Sequence, residues 1–173
     1  NETSTGSVSA VAEVRKAIDA AGHPALLMID SISGLASIDF RMDEWGVDVC
    51  VSGSQKGLML PPGLSFNAVS EKAMEVARTG GMRRSYWDWN EMEGPNATGY
   101  FPYTPGTNLL FGLNEAIAML HDEGLENVFA RHERHGAAAR AAVRCWGLEA
   151  LCARQGQESG VLTAVLMPEG HSA

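Results

Sequence analysis

Lysine is scarce in this chain, and one of its three lysines has a setting unlike that of the other two. Lys16 and Lys72 each follow another charged residue in a helix-forming stretch, which is typical of solvated surface lysines. Lys56 instead lies in Ser-Gly-Ser-Gln-Lys-Gly at 52–57, directly after an apolar run that predicts a buried strand. Open α/β sheets place their ligands at the carboxyl ends of such strands. A partly desolvated amine there can attack a carbonyl and form a Schiff base, so Lys56 is a candidate catalytic residue.

Asp30 is the second candidate, because it ends the apolar run at 25–29 and should project at the same sheet edge as Lys56. Its carboxylate has two interpretations. It can cap the turn that follows the strand, or it can pair with the cationic ring nitrogen of a cofactor, as pyridoxal phosphate chemistry requires. Asp30 alone favours neither interpretation, but in combination with Lys56 it favours the cofactor.

Helix and strand patterns alternate around these two residues. Apolar residues at helical spacing predict helices, and short continuous apolar runs predict buried strands. The alternation predicts an α/β fold with a mostly parallel sheet flanked by helices. The predicted elements are a helix ending at Gly22, strands at 25–29, 47–51 and 64–69, helices at 70–78, 109–122 and 125–146, and strands at 148–152 and 161–167.

Two further stretches bear on function. Residues 80–107 are rich in aromatic residues, glycine and proline, which predicts a long irregular segment with a functional or interface role. His132 and His135 lie three residues apart on a predicted helix, interleaved with arginines and without companion cysteines or carboxylates. This pattern predicts a solvated helix face and no metal site.

Composition excludes several classes of protein. The 173 residues are 45% hydrophobic and 20% charged, which is typical of a folded domain. The net charge of −8 and the scattered basic residues argue against nucleic-acid binding. The longest apolar runs are too short to span a bilayer. The absence of a secretory signal and the odd number of cysteines predict a reduced, cytoplasmic protein.

The sequence resembles the class V aminotransferases, which are pyridoxal phosphate enzymes. The resemblance rests on Asn-Glu-Thr-Ser-Thr-Gly at 1–6, Met-Ile-Asp-Ser at 28–31 and the block Ser-Gly-Ser-Gln-Lys-Gly-Leu-Met-Leu-Pro-Pro-Gly at 52–63. Within that family, residues 101–113 and 123–132 are similar to the serine–glyoxylate and alanine–glyoxylate branch. The resemblance extends over essentially the whole chain.

The resemblance implies a role for each matching residue. Lys56 would carry the Schiff base and move a proton between substrate and cofactor, while Asp30 would keep the pyridine nitrogen protonated. Thr3 would bond the ring oxygen of the cofactor, and Gln55 would contact its phosphate. Thr104 would bind the phosphate held by a neighbouring subunit, which implies a homodimer with shared active sites.

The resemblance also implies the domain organisation. The chain would be the central part of a fold type I pyridoxal phosphate-dependent transferase, incomplete at both ends. Residues 1–123 would belong to the large cofactor-binding α/β domain and residues 124–173 to the start of a smaller C-terminal α+β domain. The glycine segment that cradles the phosphate and the arginine that binds the substrate carboxylate would lie outside this chain. We therefore expect the isolated chain to be inactive.

The implied reaction moves an amino group from a small amino acid, serine or alanine, to the 2-oxo acid glyoxylate. Two alternatives remain open at this point. Cysteine desulfurases are similar but usually carry histidine before the lysine, where this chain has Gln55. A truncated α/β module without catalytic activity is the other alternative. The sequence does not fix the amino donor.

Overall fold

A three-stranded sheet forms the centre of the computed structural model, which describes residues 1–152 and 154–171. Strand β1 (Met28–Asp30) runs parallel to β2 (Val49–Gly53), and β2 pairs antiparallel with β3 (Ser65–Val69). Because β1 and β2 are parallel, their carboxyl ends lie at one edge of the sheet. That edge carries Asp30 and the loop 54–64, which contains Lys56.

The strands lie where the apolar runs predicted them, but their first and last residues differ from the predicted bounds. β1 begins only at Met28, because the backbone N–H of Leu27 donates to the carboxylate of Asp48 (2.8 Å) before the regular ladder begins. β2 extends to Gly53, two residues past the predicted end, so that its ladder with β3 reaches the base of the Lys56 loop.

Helix boundaries follow capping residues. Ser70 begins the second helix, because its hydroxyl accepts from the N–H of Ala73 (3.1 Å). Gly124, with φ +81°, separates the last two helices as predicted. No helix among the described residues is long and apolar enough to cross a membrane. The helices are α1 (Val11–Ala20), α2 (Glu71–Thr79), α3 (Trp89–Ala97), α4 (Thr107–Glu123) and α5 (Leu125–Cys145), followed by the antiparallel pair β4 (Glu149–Ala150) and β5 (Val165–Leu166).

The hydrophobic core lies on one side of β1 and β2. Its buried centre is formed by Leu27, Val47 and Cys50, and Val11 and Ile18 of α1 pack against it. Burial of these side chains holds α1 against the strands and leaves the carboxyl edge of the sheet free for polar residues.

The segment 80–107 is more regular than predicted, since it contains α3 and a short 3-10 helix at Ser85–Trp87. Asp88 caps α3 by accepting from the N–H of Asn90 (3.1 Å). The helix is stabilised from outside, because the Asn90 amide donates to the carbonyl of Ala77 at the end of α2 (3.3 Å). This tertiary contact compensates for the low helix propensity of its glycine and proline.

The first residues of the chain pair with residues near its end. Ser7 forms a bridge with Glu158, and the N–H of Val8 donates to the carbonyl of Gln157 (2.7 Å). The segment after residue 158 lies directly on α5, where a Cβ on Gly136 would come 2.8 Å from the carbonyl oxygen of Gly160. Glycine at position 136 therefore permits this close backbone approach.

The predicted division into 1–123 and 124–173 remains a prediction. Its boundary coincides with the break between α4 and α5 at Gly124. Residues 153, 172 and 173 of the second range lie outside the described residues.

Candidate active site

Lys56 lies in a loop held against a neighbouring turn. The side chain of Lys56 is exposed, and its carbonyl accepts from the N–H of Met59 (2.9 Å). The next residue, Gly57, lies so close to the turn at 35–37 that a Cβ there would overlap the carbonyl oxygen of Leu35. Because Gly57 has no side chain, the loop can pack closely against this turn, and the packing fixes the backbone position of the neighbouring Lys56.

Two residues near Lys56 have strained backbones. Ala36 and Met59 both have φ +61°, a conformation that non-glycine residues rarely adopt. Both residues also line the cleft that contains Lys56. Strain of this kind persists only where surrounding contacts enforce it, and it concentrates at functional sites.

A cleft of about 320 Å³ brings Lys56 together with Thr3. Thr3 lies in a tight turn closed by the N–H of Gly6, which donates to the carbonyl of Glu2 (3.0 Å). The structure thus joins two predicted site residues that are far apart in the sequence. The other polar residues that line the cleft are Asn1, Ser33, Ser37, Arg131 and His132.

Asp30 is exposed at the end of β1, at the same sheet edge as the Lys56 loop, as predicted. Its Oδ1 accepts from the N–H of Ile32 (2.9 Å), which is the turn-capping contact of the first interpretation. Asp30 is not among the described residues that line the cleft. Its role toward a cofactor stays a prediction.

Gln55 and Thr104 are both exposed and are also not among the described residues that line the cleft. Gln55 immediately precedes Lys56 in the same loop. Thr104 lies in the segment that leads into α4. The structure therefore brings Lys56 and Thr3 into one cleft, with Gln55 adjacent, while the roles predicted for Gln55 and Thr104 remain predictions.

The prediction of a solvated helix face for His132 was wrong. His132 is half-buried and lines the Lys56 cleft, one turn along α5 from the buried Val128. Burial lowers the pKa of His132, and the positive charges of Arg131 and His135 add to the effect, so the neutral imidazole is favoured. The spacing of four residues from Val128 is the sequence signal that predicts an inward face.

Arg131 also lines the cleft, but its guanidinium is already paired. Its Nε and Nη2 donate to the two carboxylate oxygens of Glu123 (2.7 and 2.8 Å). This pair lowers the pKa of Glu123 below its ordinary value. Within residues 1–152 and 154–171, no group of three or more His, Cys, Asp or Glu side chains could hold a metal ion.

A family comparison identifies the chain. The model of the class-V aminotransferases matches residues 1–172. The chain belongs to the class-V aminotransferase family. This class-V chain covers less than half the length of the curated relatives it matches.

Relatives of this class-V chain include enzymes that use glyoxylate. It is 54% identical to the serine–glyoxylate aminotransferase of Hyphomicrobium methylovorum, over 98% of this chain and 42% of that protein. It is 50% identical to the L-aspartate–glyoxylate aminotransferase of Paracoccus denitrificans, over 100% of this chain and 44% of that protein. The crystal structure of alanine–glyoxylate aminotransferase from Nostoc sp. matches with a TM-score of 0.87 at 29% identity, over 98% of this chain and 45% of that chain. The predicted α/β fold, part of a fold type I transferase, is confirmed. The sheet is not mostly parallel as predicted, because β3 returns through the short loop 54–64 and pairs antiparallel with β2.

Pyridoxal phosphate is the cofactor that class-V membership implies, and the cleft fits it chemically. The amine of Lys56 and the hydroxyl of Thr3 face one space, as an aldehyde-bearing, hydrogen-bonding ligand requires. Asn1 lines the same cleft, and its Oδ1 is buried with no hydrogen-bond partner among the described residues. An orphaned acceptor on a residue of the cleft lining marks a place where a bound group can supply the missing donor.

Proposed function

We propose that the full-length protein is an aminotransferase that moves the amino group of serine or alanine to glyoxylate. The observation that carries this proposal is the position of Lys56, the one lysine of the chain at the carboxyl edge of the sheet and in a cleft with Thr3. Names of relatives at 50–54% identity support glyoxylate as the acceptor.

The proposed roles use this chain's own residues. Lys56 Nζ would hold the cofactor, and its amine would move a proton to and from the substrate carbon. Thr3 donates a hydrogen bond to the ring oxygen, and Gln55 contacts the phosphate. Asp30 keeps a proton on the ring nitrogen by its negative charge. Bound pyridoxal phosphate would supply the electron sink that lets an amino acid lose its α-proton.

The desulfurase alternative receives less support. Gln55 precedes Lys56, where desulfurases usually have histidine, and an amide cannot accept a proton as imidazole does. A module without catalytic activity does not require an exposed lysine in a cleft that is also lined by two residues with strained backbones.

We expect the full-length protein to form glycine from glyoxylate when serine is supplied. The assay measures glycine and the keto product by mass spectrometry, with alanine and aspartate compared as donors at equal concentration. Aspartate is included because one relative is named for it. Transfer from aspartate alone would contradict the proposed donor class, and release of sulfide from cysteine without glycine formation would favour the desulfurase alternative.

We propose that the protein acts as a homodimer whose active sites combine residues of both subunits. Support comes from the aromatic residues of the segment 80–107, which stay largely exposed although α3 packs on α2. Large exposed aromatic surfaces commonly mark interfaces. Their exposed fractions are 57% for Tyr86, 76% for Trp87, 72% for Tyr100, 50% for Phe101 and 44% for Tyr103.

Mixed dimers test the sharing of sites. Lys56→Ala and Thr104→Glu are each expected to be inactive, the second because its charge repels the phosphate. If each site takes Lys56 from one subunit and Thr104 from the other, a mixed dimer has one intact site. Co-refolding should therefore recover up to about a quarter of wild-type activity, since half of the randomly paired dimers are mixed.

The matched control mixes Lys56→Ala with Asp30→Asn. Both residues belong to one subunit's site under the proposal, so no site in that mixed dimer is intact. We expect only the residual activity of Asp30→Asn. No recovery from the mixture of Lys56→Ala with Thr104→Glu, when mixed dimers are shown to form, would assign Thr104 to its own subunit's site.

We also propose a cytoplasmic location. Its support is that Cys50, Cys145 and Cys152 are all free thiols in the structure. Proteins of oxidising compartments usually pair their cysteines.

A further inference from the structure

Ser54 lies at the base of the loop that carries Lys56 and is completely buried, with 0% of its surface exposed. Its hydroxyl donates to the carbonyl of Pro61 (2.8 Å) and accepts from the N–H of Leu64 (3.1 Å). A serine hydroxyl has one donor and can accept as well, so both capacities are used here. The bonds join the start of the loop to its far arm.

The backbone of Ser54 makes the same connection. Its N–H donates to the carbonyl of Leu64 (3.1 Å), and its carbonyl accepts from the N–H of Leu60 (3.1 Å). Every polar group of Ser54 thus bonds to residues 60–64. Lys56 lies inside the loop that these four hydrogen bonds close, two residues from Ser54.

Ser52 provides an internal comparison. It lies two residues earlier on β2 and is also buried, at 5% exposure. Its hydroxyl has no hydrogen-bond partner among the described residues. Burial of a serine at this end of β2 is therefore not enough to close the loop. The hydroxyl of Ser54 closes it through its two hydrogen bonds.

We propose that Ser54 is a positioning residue for Lys56, acting through the closed loop 54–64 and touching neither substrate nor cofactor. Its hydroxyl keeps the two arms of the loop in register, and the amine of Lys56 is thereby held toward the cleft. Loss of the hydroxyl leaves the carbonyl of Pro61 and the N–H of Leu64 without a buried partner, so the arms separate to reach water. This inference rests on the proposed function of Lys56.

The experiment measures how fast Lys56 captures pyridoxal phosphate in full-length protein freed of cofactor. Visible absorbance follows capture, and borohydride fixation with peptide mapping reports the share of label on each lysine. We expect Ser54→Ala to slow capture at Lys56 about tenfold and Ser52→Ala to stay within about twofold of wild type, because small misplacements of a reacting group are costly. Labelling of Lys16 and Lys72 should not change in either variant.

Ser54→Thr separates positioning from stability. It keeps the hydroxyl but adds a methyl group at a fully buried position, so we expect a lower melting temperature with capture at Lys56 close to wild type. Melting temperatures are measured for all variants in parallel. If Ser54→Thr does not fold, the comparison of Ser54→Ala with Ser52→Ala still tests whether Ser54 positions Lys56.

Three results would overturn the inference: Ser54→Ala capturing at the wild-type rate, Ser52→Ala slowing equally, or folded Ser54→Thr slowing as much as Ser54→Ala. Wild-type protein that carries no label on Lys56 would instead overturn the proposed function itself. The two failures are therefore distinguishable within one set of measurements.

Discussion

Lys56→Ala should abolish amino-group transfer by the full-length protein and leave its fold intact. The lysine side chain is exposed, so its removal creates no cavity in the core. Loss of its proton transfer alone should reduce the rate roughly 10²- to 10⁴-fold. Loss of covalent attachment should also leave the protein without visible absorbance once free pyridoxal phosphate, which is itself yellow, has been removed. The measurements are glycine formation from serine and glyoxylate, and the visible absorbance of the purified protein.

Lys16→Ala is the matched control. Lys16 is exposed on α1, where its amine pairs with Glu13 (2.7 Å). A surface pair of this kind contributes little to stability. We expect wild-type activity and colour in this variant, and borohydride fixation of the wild-type protein should label the peptide that contains Lys56. A label found mainly on Lys16 or Lys72 would remove Lys56 from its proposed role.

Asp30→Asn is expected to lower the rate of transfer about 10²-fold, which corresponds to about 3 kcal/mol of lost electrostatic stabilisation. The substitution removes the negative charge but keeps the turn contact, because an asparagine oxygen can still accept the hydrogen bond from the N–H of Ile32. The fold of the β1 end should therefore persist. The measurement is the turnover rate at saturating serine and glyoxylate, with circular dichroism to compare the folds.

Asp39→Asn controls for the loss of a surface carboxylate. Asp39 accepts from Arg41 Nε with both oxygens (3.1 Å each) and is not among the described residues that line the Lys56 cleft. Its replacement should change turnover less than about twofold, as is usual for exposed pairs. Near-normal turnover in Asp30→Asn as well would reduce Asp30 to the turn-capping role that its contact with Ile32 already provides.

The sequence predicted those features of the site that depend on residues close together in the chain. Continuous apolar runs located β1 and β2, and a polar residue after each run identified Asp30 and Lys56 at one sheet edge. The cap at Ser70 and the break at Gly124 were equally local, since a single side chain or φ angle determines each. Patterns of this kind depend on neighbours within a few residues, which a sequence displays directly.

The parts that were not predicted depend on contacts between distant segments. Helix α3 was missed because its stability comes from α2 and not from its own composition. The spacing of His132 from Val128 was a local signal for an inward side chain, but the cleft that His132 lines also requires Thr3 and Lys56 from other parts of the chain. Thr104 is not among the described residues that line that cleft, and its proposed role requires a second subunit, which the pattern of one chain does not describe.

The pairing of Val8 with Gln157 sets an order of events during synthesis of the protein. The lining of the Lys56 cleft includes Val161 and Leu162, and the segment just before them is hydrogen-bonded to Val8. A contact between residues as far apart in sequence as Val8 and Gln157 forms late, because closing a long loop costs entropy before any contact offsets it. A ribosome adds about 5–20 residues per second, so Thr3 and Lys56 emerge many seconds before Val161 and Leu162. In the nascent protein, the cleft around Lys56 therefore lacks Val161 and Leu162 until the segment that carries them emerges.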